Sequence, residues 1–376
     1  MSNSRNSEPA DAARGPRPRA IVYCEANFGA IDGKTANGLV RNSERYEIIS
    51  VIDSQLAGQD AGMVLDGVAN GIPLCRDLDD AVTAAGVAAD LFIVGVAPTS
   101  GLLSTVERHV LLEAMSRGLG LINGLHEFLN DDPEFAAAAV VNGVEITDVR
   151  RPRAKVDLRM FSGAILDVSC PRIAVLGTDG AIGKRTTATI LTKALNDHGV
   201  HAVLVGTGQT SLIQGARHGT ALDAVPAQFV TGELEAAVVE AYNTESPDVI
   251  IVEGQGALSH PTYLSSTAVL RGSRPAAVIL QHAPARTTIS DYPAFPMPTP
   301  ASEITLIETF ADTKVIGLTI NHEQMSDVEV TASIAMYELE LGILATDPLT
   351  RPTDQLLAMV FAAFPDLEQA LPVAAT

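Results

Sequence analysis

Cysteine is scarce: Cys24, Cys75 and Cys170 are the three copies in 376 residues, with no paired or metal-type spacing. That excludes a disulfide scaffold and fits a reducing compartment, with each thiol expected as a small buried hydrophobe. Lysine is nearly as scarce, with five copies, and 25 basic residues face 45 acidic ones for a net charge of −20. No basic run offsets this balance, so nucleic acid and anionic membrane are disfavoured as partners, and an anionic ligand needs a local positive pocket. No apolar run approaches the roughly 20 residues that span a bilayer. The N-terminal MSNSRNSEPADAARGPRPRA also lacks the apolar core of a signal peptide. The expectation is a cytoplasmic chain whose residues 1–18 form a disordered tail.

Against those absences stand 376 residues that are 47% hydrophobic. Such a length predicts two domains of about 150 to 200 residues, and such a content predicts large buried sheets. In the first half, apolar runs at Ala20–Cys24, Ile48–Ile52, Leu91–Val96 and Leu119–Ile122 alternate with helical patterns at Leu78–Ala85 and Gly101–Arg117. This alternation predicts a doubly wound parallel sheet, whose ligand sites lie at the carboxyl ends of its strands. Asp53 ends the second strand where a ribose-binding acid often stands, but G-x-G-x-x-G is missing, so Asp53 is either that acid or a turn cap. The pattern changes between Val141 and Cys170, around the basic cluster Arg150, Arg151, Arg153 and Lys155. Boundaries of 19–153 for the first domain, 154–170 for a linker and 171–376 for the second domain follow.

The second domain is organised around GTDGAIGKRTT, Gly177–Thr187. A buried strand, Arg172–Leu176, precedes it and a helical segment, Ala188–Asn196, follows, which is the setting of a phosphate-binding loop. Glycines let backbone N–H groups converge on phosphate oxygens, the helix start adds partial positive charge, and Lys184 adds a full one. The spacing is unusual, since five residues separate Gly177 from Gly183 and Arg185 follows Lys184 where a hydroxyl is usual. Thr186 must then take the hydroxyl's part. Further strands at Ala202–Val205, Val249–Val252, Ala277–Leu280 and Val315–Ile320 end in GTGQT, EGQG, QHAPAR and NHE. In a doubly wound sheet these ends meet at one crevice.

That crevice holds the candidate chemistry. Glu253 is placed as the acid that holds Mg²⁺ beside a phosphate loop, or else as a capping carboxylate. His282 and His260 titrate near neutrality and are candidate acid/base groups, with a structural role the alternative. Arg286 offers a fork of donors suited to a substrate carboxylate or phosphate. In the first domain, GAIDGKT echoes AIGKRT and puts Lys34 and Thr35 forward as further anion contacts, unless the repeat is chance. Cys24 is a weaker candidate for an acyl-carrying thiol.

Taken together, GTDGAIGKRTT, GTGQTSLIQG, VEGQGALSHP and LQHAPAR, with GKTANGLVR, GVAPTSG and GLHEFLNDDPE before them, resemble a bacterial and archaeal two-domain family. That family has long been known as a domain of unknown function. Its second half is similar to dethiobiotin-synthetase-like P-loop proteins, and one branch contains the D-glutamate N-acetyltransferase. The resemblance runs from about Tyr23 to about Pro352. It implies an α/β fold with a Rossmann-like first domain and a P-loop second domain, both doubly wound. It also implies acetyl transfer from acetyl-CoA to the α-amine of a D-amino acid such as D-glutamate, in a homo-oligomer.

Carried over, the phosphate-loop role falls on Gly177, Thr178, Asp179, Gly180, Gly183, Lys184 and Thr186, with Arg185, Thr187 and Gln209 beside them. Ser211 and Gln228 depart from the family pattern, which usually has a glycine and an acid there. On this reading His282, Glu253 or His260 takes the amine's proton, while Arg286, Arg185 and Gln255 hold the acceptor. The alternatives are an ATP- and Mg²⁺-dependent phosphoryl-transfer or ligase enzyme, with Thr186 and Glu253 on the metal, and a non-enzymatic nucleotide sensor using Asp53.

Overall fold

The computed structural model describes residues 16–30, 32–97 and 101–369. Residues 1–15 of the expected tail, Ile31 in GAIDGKT, Pro98–Ser100 in GVAPTSG and residues 370–376 lie outside the described residues. The chain divides into two compact units. One runs to Asp148 and includes Ile213–Gly215; the other comprises Val149–Leu212 and the chain from Ala216 onward.

In the first unit, strands β1 (Arg19–Tyr23), β2 (Glu47–Ile52), β3 (Leu74–Cys75), β4 (Leu91–Val94), β5 (Gly120–Asn123) and β6 (Ile146–Asp148) form one sheet in the order β3-β2-β1-β4-β5-β6. Every pairing is parallel, and this is the strand order of the Rossmann sheet. The helix expected from Gly101 begins at Thr105 instead. Ser104 halts it with a capping box: its hydroxyl accepts from the Glu107 N–H, and the Glu107 carboxylate accepts from the Ser104 N–H. Asp53 is buried and accepts from the N–H groups of Phe28 and Gln55, so it caps turns of its own unit. Cys24 is fully buried, and burial followed by the nearby Asp53 pushes its thiol well above the usual range, which removes it as a nucleophile.

In the second unit, strands β7 (Arg172–Gly177), β8 (Ala202–Gly206), β9 (His218–Gly219), β10 (Val249–Glu253), β11 (Ala277–His282), β14 (Lys314–Ile320) and β15 (Leu344–Thr346) form a sheet in the order β15-β14-β11-β7-β10-β8-β9. Again all pairings are parallel. Strands β12 (Thr288–Ile289) and β13 (Tyr292–Pro296) form a separate antiparallel pair. The sheet is buried on both faces, which is why its strands read as continuous apolar runs. Alternate residues take opposite sides: Ala174, Leu176, Ile250, Val252, Val278 and Leu280 enter one core, and Ile173, Val175, Val249, Ile251, Ala277 and Ile279 the other. Each large aliphatic side chain so buried contributes about 1.5–3 kcal/mol. This rigid sheet fixes the strand ends that build the site.

Residues 154–170, expected as a linker, are packed on the helix Val230–Glu245 of this same unit. The buried Glu235 accepts from the N–H groups of Ser162, Gly163 and Ile165 at 2.6, 2.8 and 3.2 Å, and the buried Glu233 accepts from the Arg159 N–H at 2.7 Å. The segment is held by these two carboxylates together with Ile165, Val168 and Cys170, which enter the core at a spacing that shows neither helical nor strand periodicity. Two residues of the basic cluster are also paired with carboxylates, Arg150 with Asp223 and Arg153 with Glu233, and Glu233 takes Arg159 as well. Among the described residues no helix is long and apolar enough to cross a membrane.

Candidate functional site

The carboxyl ends of β14, β11, β7, β10 and β8 lie side by side, so the five polar strand ends do meet. At their centre, the loop after β7 leads into the helix Lys184–Asp197. Ala181 and Gly183 take left-handed backbone, φ 47° and 107°, a conformation that turns neighbouring N–H groups toward a shared anion. Gly177 must lack a side chain, because a Cβ there would stand 3.0 Å from the Gln281 carbonyl oxygen and 3.0 Å from Lys184 Cδ. The helix starts at Lys184 rather than Ala188 because its first turn is polar and faces the loop, while apolar packing begins at Ala188. That first turn has no side-chain cap and no acidic residue. Two cations, Lys184 and Arg185, therefore open the helix at the end where its dipole favours an anion.

Asp179 is fully buried and ties the loop together. Its carboxylate accepts from the Gly180 N–H at 2.7 Å, the Ser290 N–H at 3.1 Å and Arg286 Nη1 at 3.0 Å. Lys184 Nζ donates to the Asp179 carbonyl. Arg286 commits all five of its N–H groups inside the protein: two to Glu323, one to Asp179 and one each to the carbonyls of Gly180 and Ala181. No donor remains for an acceptor's carboxylate, so the expected substrate role of Arg286 is corrected to that of a clamp on the loop.

His282, at the end of β11, is buried with Nδ1 2.8 Å from Thr178 Oγ1 and its ring edge-on to Tyr337. Burial pushes its pKa down to about 4, so the ring is neutral at pH 7. The His260 side chain is fully buried and stacked on Tyr263. Its Nδ1 accepts from the N–H groups of Thr262 and Tyr263, which places the proton on Nε2. That Nε2 stands 3.9 Å from Asp179 Oδ1 without a hydrogen-bond partner. Burial lowers the His260 pKa, with Asp179 opposing.

Glu253, at the end of β10, is buried and accepts through Oε2 from the N–H groups of Thr207 and Gly208, at 2.9 and 3.2 Å. Burial raises its pKa, and the charge of Arg185 is the largest influence pulling it back. Gln255 donates its side-chain amide to the Thr207 carbonyl, binding β10 to the end of β8 and leaving that amide N–H unavailable to an acceptor. Gln209 is buried at the start of the helix that follows β8. Thr187 is buried and donates to Gln281 Oε1 at 2.5 Å, while Thr186 is half-buried in the same turn. Lys34 and Thr35 open the helix Lys34–Arg41 in the first unit.

Sequence patterns assigned no role to Gln281, whose Oε1 joins Thr187 to Thr319, or to Ser290 and Glu323, which complete the Asp179–Arg286 clamp. Gln281 and Glu323 lie in the strand ends QHAPAR and NHE, and no pattern marks Ser290. Two cavities in the second unit lie off the phosphate loop. One, of about 160 Å³, is lined by residues including Arg150, Arg151 and Glu233, and the other, of about 420 Å³, by residues including Cys170 and Phe364. A phosphate loop is a shallow nest of backbone N–H groups, which here has Lys184 folded onto it, so it need not form a deep hole. Among the described residues no three His, Cys, Asp or Glu are grouped so as to hold a metal ion.

The two parallel sheets and the loop between strand and helix agree with the family that the sequence matches. The P-loop domain of DUF1611, a domain of unknown function, matches residues 159–357, and its Rossmann-like companion domain, DUF1611_N, matches residues 54–152. The chain belongs to the DUF1611 family. It is 31% identical to a D-glutamate N-acetyltransferase of Tritonibacter scottomollicae over 276 residues, covering 72% of this chain and 80% of that protein. It is 28% identical to a D-glutamate N-acetyltransferase of a Pseudoalteromonas species over 282 residues, covering 73% and 82%. The crystal structure of a DUF1611 family protein from Anabaena variabilis superposes with a TM-score of 0.85 at 30% identity, covering 92% of this chain and all of that one.

Proposed function

We propose that this protein is an N-acetyltransferase that moves the acetyl group of acetyl-CoA to the α-amine of a D-amino acid, D-glutamate being the acceptor of choice. The observation that carries the phosphate half of this reading is the uncapped helix start at Lys184 and Arg185 behind the loop Gly177–Gly183. The acetyl half rests on the activity named for the two relatives in the family. The balance is simple: the amine nitrogen bonds to the acetyl carbonyl carbon, the C–S bond breaks, and the amine's proton ends on the thiol of CoA.

With the phosphates in the loop, the residues beside it act on the loop rather than on the thioester, which lies at the far end of the pantetheine arm. His282 steadies Thr178, His260 faces Asp179, and Glu253 holds the turn at Thr207 and Gly208. They are positioning residues in this account. His260 is a hydrogen-bond donor at Nε2 and His282 is a weak base, so neither is well poised to take an amine's proton near neutral pH.

The test is thiol release from acetyl-CoA by the whole chain in the presence of D-glutamate, alongside a panel of D- and L-amino acids. Release that depends on D-glutamate is expected. Silence across the whole panel, from folded protein, sinks the proposal.

A further inference from the structure

A phosphate loop of the nucleotide-hydrolysing kind works with a divalent cation. The hydroxyl directly after the loop lysine binds the ion, and an acid at the end of the neighbouring strand helps to hold it. Here neither position suits that ion. The residue after Lys184 is Arg185, which has no oxygen to offer. The next hydroxyl, Thr186, is turned by about 100° around the helix from that position. The one after it, Thr187, is buried and already donates to Gln281 Oε1 at 2.5 Å.

The acid position belongs to Glu253, at the end of β10 and opposite Val175 of β7 in the sheet register. One of its oxygens takes the backbone N–H groups of Thr207 and Gly208. The cation whose charge acts on its carboxylate is Arg185. In the first turn of the helix, directly after the loop lysine where a metal-binding hydroxyl would stand, the chain therefore places a guanidinium, which is planar, permanently charged and shaped to grip two phosphate oxygens at once.

A separate observation marks the loop as a ligand site. His260 Nε2 carries a proton, is buried, and has no acceptor, while standing 3.9 Å from Asp179 of the loop. A buried donor left without an acceptor is costly, and a bound oxyanion supplies one. Lys184 and Arg185 add two positive charges at the uncapped start of the helix, the end at which its dipole also favours an anion.

We propose that Arg185 takes the place of the divalent cation, so that the second unit binds phosphate esters such as those of CoA without metal. The inference rests on the phosphate-binding part of the function proposed above and is independent of acetyl transfer.

Calorimetric titration of the whole chain with CoA and with ADP, each in EDTA and each in excess MgCl₂, tests it. Whichever probe binds is expected to bind equally well in both buffers. Arg185→Thr, which restores a hydroxyl after the lysine, is expected to lose about tenfold or more of the affinity in EDTA and to recover part of it with Mg²⁺. Arg185→Lys keeps the charge and should fall between the two, and circular dichroism of each variant guards against misfolding. A wild-type affinity that rises about tenfold or more with Mg²⁺ overturns the proposal. So does full affinity of folded Arg185→Thr in EDTA, or binding of neither probe. ADP binding without CoA binding, unaffected by metal, would instead count against acetyl transfer and leave Arg185 in its role.

Discussion

Arg286 shows how a residue's chemistry can be right and its task different. Its fork of donors suits a carboxylate, and the carboxylates it meets are the protein's own, on Asp179 and Glu323. Asp179 is fully buried, so removing the guanidinium leaves a carboxylate short of its charge partner in a dry site. Arg286→Ala is expected to cost about 3–5 kcal/mol in chemical denaturation, the usual penalty for breaking a buried ion pair. An arginine held in reserve for the acceptor would behave differently: its loss would raise KM and leave the denaturation midpoint in place. His282 follows the same logic, since the loop threonine it steadies requires a hydrogen-bond partner and burial keeps the ring uncharged.

At the scale of elements, strands are fixed by apolar runs and the site by what ends them. Gly254 follows β10 because nothing larger fits: a Cβ there would stand 2.3 Å from the Val175 carbonyl oxygen, on the strand that carries the phosphate loop. Gly254→Ala is expected to lower stability by about 1–3 kcal/mol, read from the urea midpoint, as the end of β10 is pushed from β7. An unchanged midpoint would mean that the strand ends are looser than their packing implies. The strand–loop–helix at Gly177–Thr187 and the five converging strand ends were legible because apolar runs and glycines are local signals. The carboxylate partners of Arg286 lie 107 and 37 residues from it in sequence and the partners of Glu235 about 70 from it, and no local pattern carries such pairings. The stretch 154–170 therefore read as a linker although two buried acids hold it. The helix expected from Gly101 starts later, at Thr105, because Ser104 and Glu107 form a capping box, a signal that is itself local in the sequence.

For the molecule as a whole, a net charge of −20 repels the very ligand class proposed for it. The local answer is a loop without an acidic residue in the helix turn behind it and with two cations at that helix's start. The account depends on that loop taking the phosphates of CoA. Titration of CoA into the wild-type chain and into Lys184→Ala, by calorimetry in one buffer, tests this most directly. The account predicts measurable binding to the wild type and a loss of about tenfold or more in the folded variant, as removal of a charge-assisted phosphate contact requires. Equal affinity in the two proteins would place CoA elsewhere and contradict it.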